Sequence, residues 1–256
     1  MEVFLNPDAW IALLTLTFLE IVLGIDNIIF ISIATGKLPE EKRKKATKIG
    51  MFLAMFMRIA LLFGINLLIQ MKEPWFYIDL SWFSANITGQ SIILLLGGLF
   101  LIYKSTNEIR EKVEEKGQEE KEIKKSATKS FRNVIFQIIL IDMVFSFDSI
   151  LTAVGMTNGV EGAIYIMITA VIISVFIMMQ FAVPVGNFVN KHPSIQILGL
   201  AFLILIGMML LTESAHLADA LIFGNHVTPI PKGYLYFAIS FSLVIEMLNM
   251  KMTKKK

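Results

Sequence analysis

The chain has 256 residues, is 55% hydrophobic and has a mean hydropathy of +0.69, too apolar for an ordinary water-soluble domain. Its formal net charge is only +2, so bulk charge does not point to nucleic acid, and no nucleic-acid partner is expected. It has no cysteine, which excludes disulfides, thiolate metal sites and thiol catalysis.

The first ten residues, MEVFLNPDAW, carry acids and no Lys or Arg. They lack the basic leader of a signal peptide, so the first apolar segment is expected to remain as a span. Seven segments are apolar and long enough to cross a bilayer as helices, near Trp10–Ala34, Ile49–Gln70, Ile87–Tyr103, Asn133–Gly155, Ala163–Val189, Ile195–Leu217 and Tyr234–Asn249. Helices satisfy their own backbone in lipid, which is why they are the expected form.

The loops orient the bundle. Basic residues crowd the segment after span one (Lys37 to Lys48), the stretch Lys104–Arg132, Lys191 and the tail. All of the 23 Lys and Arg except Arg58, Lys72 and Lys232 fall there, and with seven spans those segments share one side. The positive-inside rule then places the N-terminus outside and the C-terminus in the cytoplasm. The Lys104–Arg132 stretch reads as a cytoplasmic connector, either a solvated helix with i,i+4 pairs or a loose linker.

Two parts of the chain repeat. FLEIVLGIDNIIFISIATG (Phe18–Gly36) aligns without a gap on LIDMVFSFDSILTAVGMTN (Leu140–Asn158). Glu20 falls on Asp142, Gly24 on Ser146, Asp26 on Asp148 and Asn27 on Ser149; the same offset sets Arg58 on Gln180. After a register shift, GLFLIYKS (Gly98–Ser105) matches GMMLLTES (Gly207–Ser214). Three spans per half is an odd number, so the second half must be inverted, a plan common in secondary transporters that places the substrate site at the repeat interface. The expected fold is therefore an all-α membrane protein: seven transmembrane helices, two inverted-topology three-helix repeats and one extra C-terminal helix. It forms a single integral membrane domain over 1–256, with repeat one at 10–103, a charged connector at 104–132, repeat two at 133–217 and the extra span at 234–249.

A carboxylate at the centre of a lipid-exposed helix costs about 2.5–3.5 kcal/mol on insertion scales. Glu20, Asp26, Asp142 and Asp148 must therefore face the interior and be compensated by protons, cations or bases. Internal salt bridging is the bland account, but Arg58 is the only base well inside a span and can balance one or two acids at most. Carboxylates, the Asn27 amide and the Ser149 hydroxyl are hard oxygen donors suited to Mg²⁺, Ca²⁺ or Mn²⁺, and no His or Cys lies among them. The candidate ion site is thus Glu20, Asp26, Asn27, Asp142, Asp148 and Ser149, with Arg58 as counter-ion, gate or structural partner. Crowded like charges raise the affinity of some members for protons, so proton-for-metal exchange offers an energy source.

On an ideal helix Glu20 and Asn27 share a face while Asp26 points about 100° away, and Asp142, Asp148 and Ser149 repeat the mismatch. Local unwinding near Gly24 and Ser146, over Leu23–Asp26 and Phe145–Asp148, is the expected remedy. Glu213, Glu246 and Lys104 lie near span ends and read as snorkelling side chains. His216 and His226 share an outward segment with Asp219 and read as ordinary loop histidines, with collection of metal ions as the alternative, and the methionines read as lipid-facing or core packing.

At FLEIVLGIDNIIFISI and DMVFSFDSILTAVG the sequence resembles the TerC family of integral membrane proteins, over nearly its whole length. The resemblance implies a bacterial inner-membrane protein with a historical tellurium-resistance label, kinship with LysE-type exporters, and Mn²⁺ efflux as found in several members. It carries the same six residues over as the ion site and implies a short form without an appended soluble domain. The expected function is export of a divalent cation, Mn²⁺ foremost, without an enzyme activity or resident cofactor. The expected partners are the ion and membrane lipid, with a homo-oligomer or a membrane-protein partner left open. A non-transporting scaffold for protein insertion or tellurite tolerance is the alternative. An intramembrane hydrolase is weaker, because the inverted repeat accounts for the paired acids.

Overall fold

A computed structural model of the chain describes residues 7–116, 130–157, 160 and 162–253; for Asp26, Glu115, Lys116 and Thr253 it describes the backbone and not the side chain. The chain is built of long apolar helices, seven of which are long and apolar enough among the described residues to cross a membrane. They form two compact units. One comprises residues 1–66 and 127–191, the other 67–126 and 192–256.

The first unit holds α1 (Pro7–Gly36), α2 (Glu40–Phe63), α5 (Phe131–Met156) and α6 (Ala163–Lys191). Pro7 occupies the first turn of α1, where its missing N–H costs nothing, and Asp8 beside it suits the positive end of the helix. At the other end Arg43, near the start of α2, donates to the carbonyls of Leu38 (2.8 Å) and Gly36 (3.0 Å). The guanidinium thus serves backbone acceptors that the end of α1 leaves open. Most of the basic residues expected in a loop after span one lie instead on the first turns of α2, which begins at Glu40 directly after Pro39.

Inside this unit α1 packs on α6 and α2 on α5, while α1 also meets α5 and α2 meets α6. Exchanging α1 with α5 and α2 with α6 maps these four contacts onto one another, but α1 also packs on α2 without a comparable contact between α5 and α6 among the described residues. Two close approaches fix α1 against α6. A Cβ added at Gly36 would collide with the Asn190 amide oxygen, and one at Gly186 would lie 3.0 Å from the Ser32 hydroxyl.

The second unit holds the short α3 (Ile65–Gln70) at its edge, α4 (Gly89–Lys116), α7 (Pro193–Leu217), α8 (Lys232–Thr253) and a small sheet. α4 packs against α7 along its length. Gly98 and Gly207, paired by the repeat register, meet at the crossing: a Cβ on Gly98 would lie 2.7 Å from the Gly207 carbonyl, and one on Gly207 2.9 Å from the Gly98 carbonyl. Only glycine lets the two backbones come this close. α4 runs past Tyr103 to Lys116, so the first part of the expected connector is helix, with an i,i+4 pair from Arg110 to Glu114 at 2.6 Å. The remainder of the connector, 117–129, lies outside the described residues, as do the tail lysines 254–256.

The small sheet has no counterpart in the sequence-based expectation. β1 (Pro74–Leu80) and β2 (Phe83–Thr88) form an antiparallel hairpin, extended by β3 (Leu221–Ile222) and β4 (Asn225–His226) in the order β1-β2-β3-β4. The β3–β4 turn is Phe223-Gly224, both at positive φ (50° and 76°), the conformation a two-residue hairpin needs. β2 leads directly into α4 through reciprocal bonds: the Ser91 amide donates to the Thr88 hydroxyl (3.0 Å) and the Thr88 amide to the Ser91 hydroxyl (3.1 Å). This is a capping box with serine in the glutamate position.

Candidate functional site

The expected unwinding is absent. α1 is helical without a break from Pro7 to Gly36, and α5 from Phe131 to Met156. At Gly24 the space of the missing side chain is filled from outside by Met178 of α6, whose sulfur an added Cβ would strike. At Ser146 the hydroxyl donates to the Asp142 carboxylate at 3.0 Å, one helical turn away. Neither position opens the backbone ladder to offer carbonyls as ligands, and Glu20 and Asp142 are met by side-chain donors.

Arg58, on α2, organises the site. Its Nε and Nη2 donate to the two oxygens of Asp142 on α5, at 3.3 and 2.8 Å, a forked pairing that fits guanidinium to carboxylate. Its Nη1 donates to Glu20 on α1. Asn27, two turns along α1, donates its amide N–H to Asp142 at 3.1 Å. Asp142 therefore accepts from Arg58 twice, from Asn27 and from Ser146. Glu20 and Asp142, paired by the repeat, share one guanidinium. Glu20, Arg58 and Asp142 are 3%, 4% and 5% exposed, so all three charges are buried.

This gathers Glu20, Asn27 and Asp142, with Arg58, out of the expected set. Asp148 and Ser149 are buried farther along α5. The Ser149 hydroxyl turns to the backbone carbonyl of Ser146 at 3.3 Å rather than to a carboxylate. The side chain of Asp26 lies outside the described residues. Among the described residues no three His, Cys, Asp or Glu side chains come together as a metal-binding group. The described donors are two carboxylates and an amide, with a cationic side chain between them. The amide oxygen of Asn27 is the odd atom: it is buried and accepts no hydrogen bond among the described residues. Leaving such an acceptor dry and unpaired costs about 1–3 kcal/mol.

Electrostatics explains why the three charges stay together. Two buried anions against one buried cation leave one net negative charge, and removing either partner of such a pair typically costs about 3–5 kcal/mol. Internal salt bridging, the bland account on sequence grounds, does occur here for two acids. Its signal is Arg58 itself, since a base in mid-span needs an anionic partner. Ser146, which in the sequence marks a point of flexibility, serves instead as a donor to Asp142.

The other polar residues fall as follows. Lys104 pairs with Glu108 at 2.7 Å within α4. His226 pairs with Asp219 at 3.0 Å on the exposed sheet end, and His216 is exposed near the end of α7.

Apolar helices long enough to span a bilayer, enclosing a buried cluster of acids and a base, define a polytopic integral membrane protein with an intramembrane ionic site. Residues 5–256 match the family described as "Integral membrane protein TerC family", and the chain belongs to it. It is 47% identical over 250 residues to the "UPF0053 inner membrane protein YgdQ" of Escherichia coli K12, covering 98% of this chain and 96% of that one. It is 45% identical over 249 residues to a "UPF0053 protein" of Haemophilus influenzae, covering 97% and 96%. It is also 41% identical over 250 residues to the "UPF0053 inner membrane protein YoaE" of E. coli K12, where it spans 97% of its own length and 44% of the longer relative. No solved structure matches the chain.

Proposed function

We propose that the protein exports a divalent cation, Mn²⁺ foremost, across the bacterial inner membrane, N-terminus outside and C-terminus in the cytoplasm. The observation that carries this reading is the arrangement at Arg58: carboxylates from two repeat-related helices, with Asn27, whose buried amide oxygen accepts no hydrogen bond among the described residues, on one of them. Arg58 is a tethered cation standing where a free one would be stable. A metal entering from the cytoplasm competes with the guanidinium for Asp142 and Glu20, and the Asn27 oxygen supplies a further hard donor. When the ion leaves to the outside, Arg58 returns and keeps the acids from standing unpaired. The tether gives the cycle an end state of low energy at the empty site, which a site of acids alone would lack. Asp26 and Asp148 complete the expected donor set, and exchange against protons across the membrane supplies the driving force.

The test is Mn²⁺ flux in membrane vesicles loaded with the metal. Flux is expected in the wild type and is lost in Asp142→Asn and Asp148→Asn. The alternative, a non-transporting scaffold, draws support from the same salt bridges, which tie α1, α2 and α5 together whether or not an ion passes. A scaffold keeps its cellular phenotype in Asp148→Asn and shows no flux in any form.

A further inference from the structure

The donors described so far are all oxygen, and oxygen donors do not separate Mn²⁺ from the far more abundant Mg²⁺ and Ca²⁺. One buried group near them is of a different kind. Met178, on α6, is 4% exposed, and its sulfur lies so closely against Gly24 that an added Cβ would collide with it. Gly24 stands between two of the site residues on one ridge of α1. Glu20 is four residues before it and Asn27 three after, about 6 Å and about 4.5 Å along the axis at a rise of ~1.5 Å per residue. Positions spaced by four and by three share a helix face, so Glu20, Gly24 and Asn27 form a row. The glycine leaves a gap in the middle of that row, and the thioether of Met178 fills it. Three residues further along the same row, the amide oxygen of Asn27 is buried without a hydrogen bond among the described residues. That acceptor points independently to a ligand at this level of the helix.

We propose that Met178 is the selectivity residue of the site: seated on Gly24 between Glu20 and Asn27, its sulfur supplies a soft donor that favours transition-metal and cadmium ions over Mg²⁺ and Ca²⁺. The inference rests on the proposed cation-binding function and sharpens it by naming the class of cargo. A thioether gives Mg²⁺ or Ca²⁺ almost nothing, because hard ions hold oxygen and water. Softer divalent ions gain from it, in an order that rises from Mn²⁺ through the later first-row metals. A site of two carboxylates, an amide oxygen and a thioether therefore discriminates by chemistry rather than by size alone. A leucine at the same place would fill the gap equally well, so packing does not require sulfur.

That equivalence makes the experiment clean, since Leu for Met is among the mildest of core exchanges. Full-length protein is reconstituted in liposomes, Mn²⁺ flux is followed, and Cd²⁺, Mg²⁺ and Ca²⁺ are added as competitors. In the wild type Cd²⁺ competes well and excess Mg²⁺ or Ca²⁺ poorly. In Met178→Leu, Mn²⁺ flux needs a higher ion concentration, the potency of Cd²⁺ falls by about tenfold or more, and Mg²⁺ and Ca²⁺ become effective competitors; even outer-shell partners of a metal are worth roughly 10–100-fold in affinity. Gly24→Ala, which pushes the sulfur off the row, shifts selectivity the same way. Cadmium-113 resonance of the purified protein gives a second readout that needs no transport: a sulfur-ligated signal in the wild type, moved toward the all-oxygen position in Met178→Leu. Unchanged competition in Met178→Leu, with Mn²⁺ flux intact, or an all-oxygen cadmium signal in the wild type, overturns the role of Met178 alone. Absence of any divalent flux or binding in the wild type overturns the function itself, and the two failures are told apart by the wild-type control.

Discussion

Replacing Arg58 by glutamine tests whether the guanidinium is a stand-in for a cation. Arg58 makes two hydrogen bonds to Asp142 and one to Glu20, all buried. Removing it leaves two carboxylates facing each other in a dry interior, at a cost of about 3–5 kcal/mol. Glutamine retains a donor for one of them but no charge. If a divalent cation can occupy the same place, it should restore most of what was lost. A ligand at 100 times its dissociation constant stabilises by about 2.7 kcal/mol, close to the deficit. Denaturation of the purified variant, followed by heat with and without Mn²⁺, is the assay. The expected result is a low midpoint without metal that rises with Mn²⁺ by more than the wild-type midpoint does, because in the wild type the ion must first displace Arg58. An Arg58→Gln protein that is destabilised and gains nothing from any divalent cation would refute the reasoning, leaving Arg58 a structural clamp.

Asp142→Asn should be more damaging than Glu20→Gln, because Asp142 accepts four hydrogen bonds from three residues, and the variant should abolish flux in vesicles while lowering the yield of folded protein. Ser146→Ala removes one donor to Asp142 and should cost about 1 kcal/mol by thermal denaturation without stopping transport. Gly98→Leu sets a side chain against the Gly207 carbonyl at the α4–α7 crossing, and Gly98→Ala does so mildly; the larger change should lower stability by about 1–3 kcal/mol or more, measured by the same denaturation, with the site residues untouched. Arg43→Ala uncovers the carbonyls of Gly36, at the end of α1, and of Leu38 just after it, and should lower stability by about 1 kcal/mol, with no change in metal competition.

Much of this is legible in the sequence for physical reasons. Apolar runs near 20 residues long have few other uses, so the seven helices are readable from hydropathy alone. The repeated acids can be placed in the interior because lipid penalises them, and Glu20 and Asp142 are indeed brought to one base. The glycines at 98 and 207, matched by the repeat, stand where α4 and α7 cross. The sheet is not readable, since PWFYIDL and FSANIT sit between apolar spans and carry too little alternation to separate a hairpin from a loop. The unwinding fails as an expectation because it follows from the geometry of one helix at a time. The gap at Gly24 is closed by α6, four spans away in sequence, and no periodicity within α1 can reveal that. The place of Met178 is hidden for the same reason: the residues that give its sulfur meaning belong to another helix.

The most direct measurement is Mn²⁺ binding to the purified, full-length protein in detergent, read by the loss of the free-ion paramagnetic resonance signal. The account predicts saturable binding in the wild type that disappears in the Glu20→Gln, Asp142→Asn double variant while the protein remains folded. Equal binding in both, or none in the wild type at any concentration that leaves it folded, contradicts it.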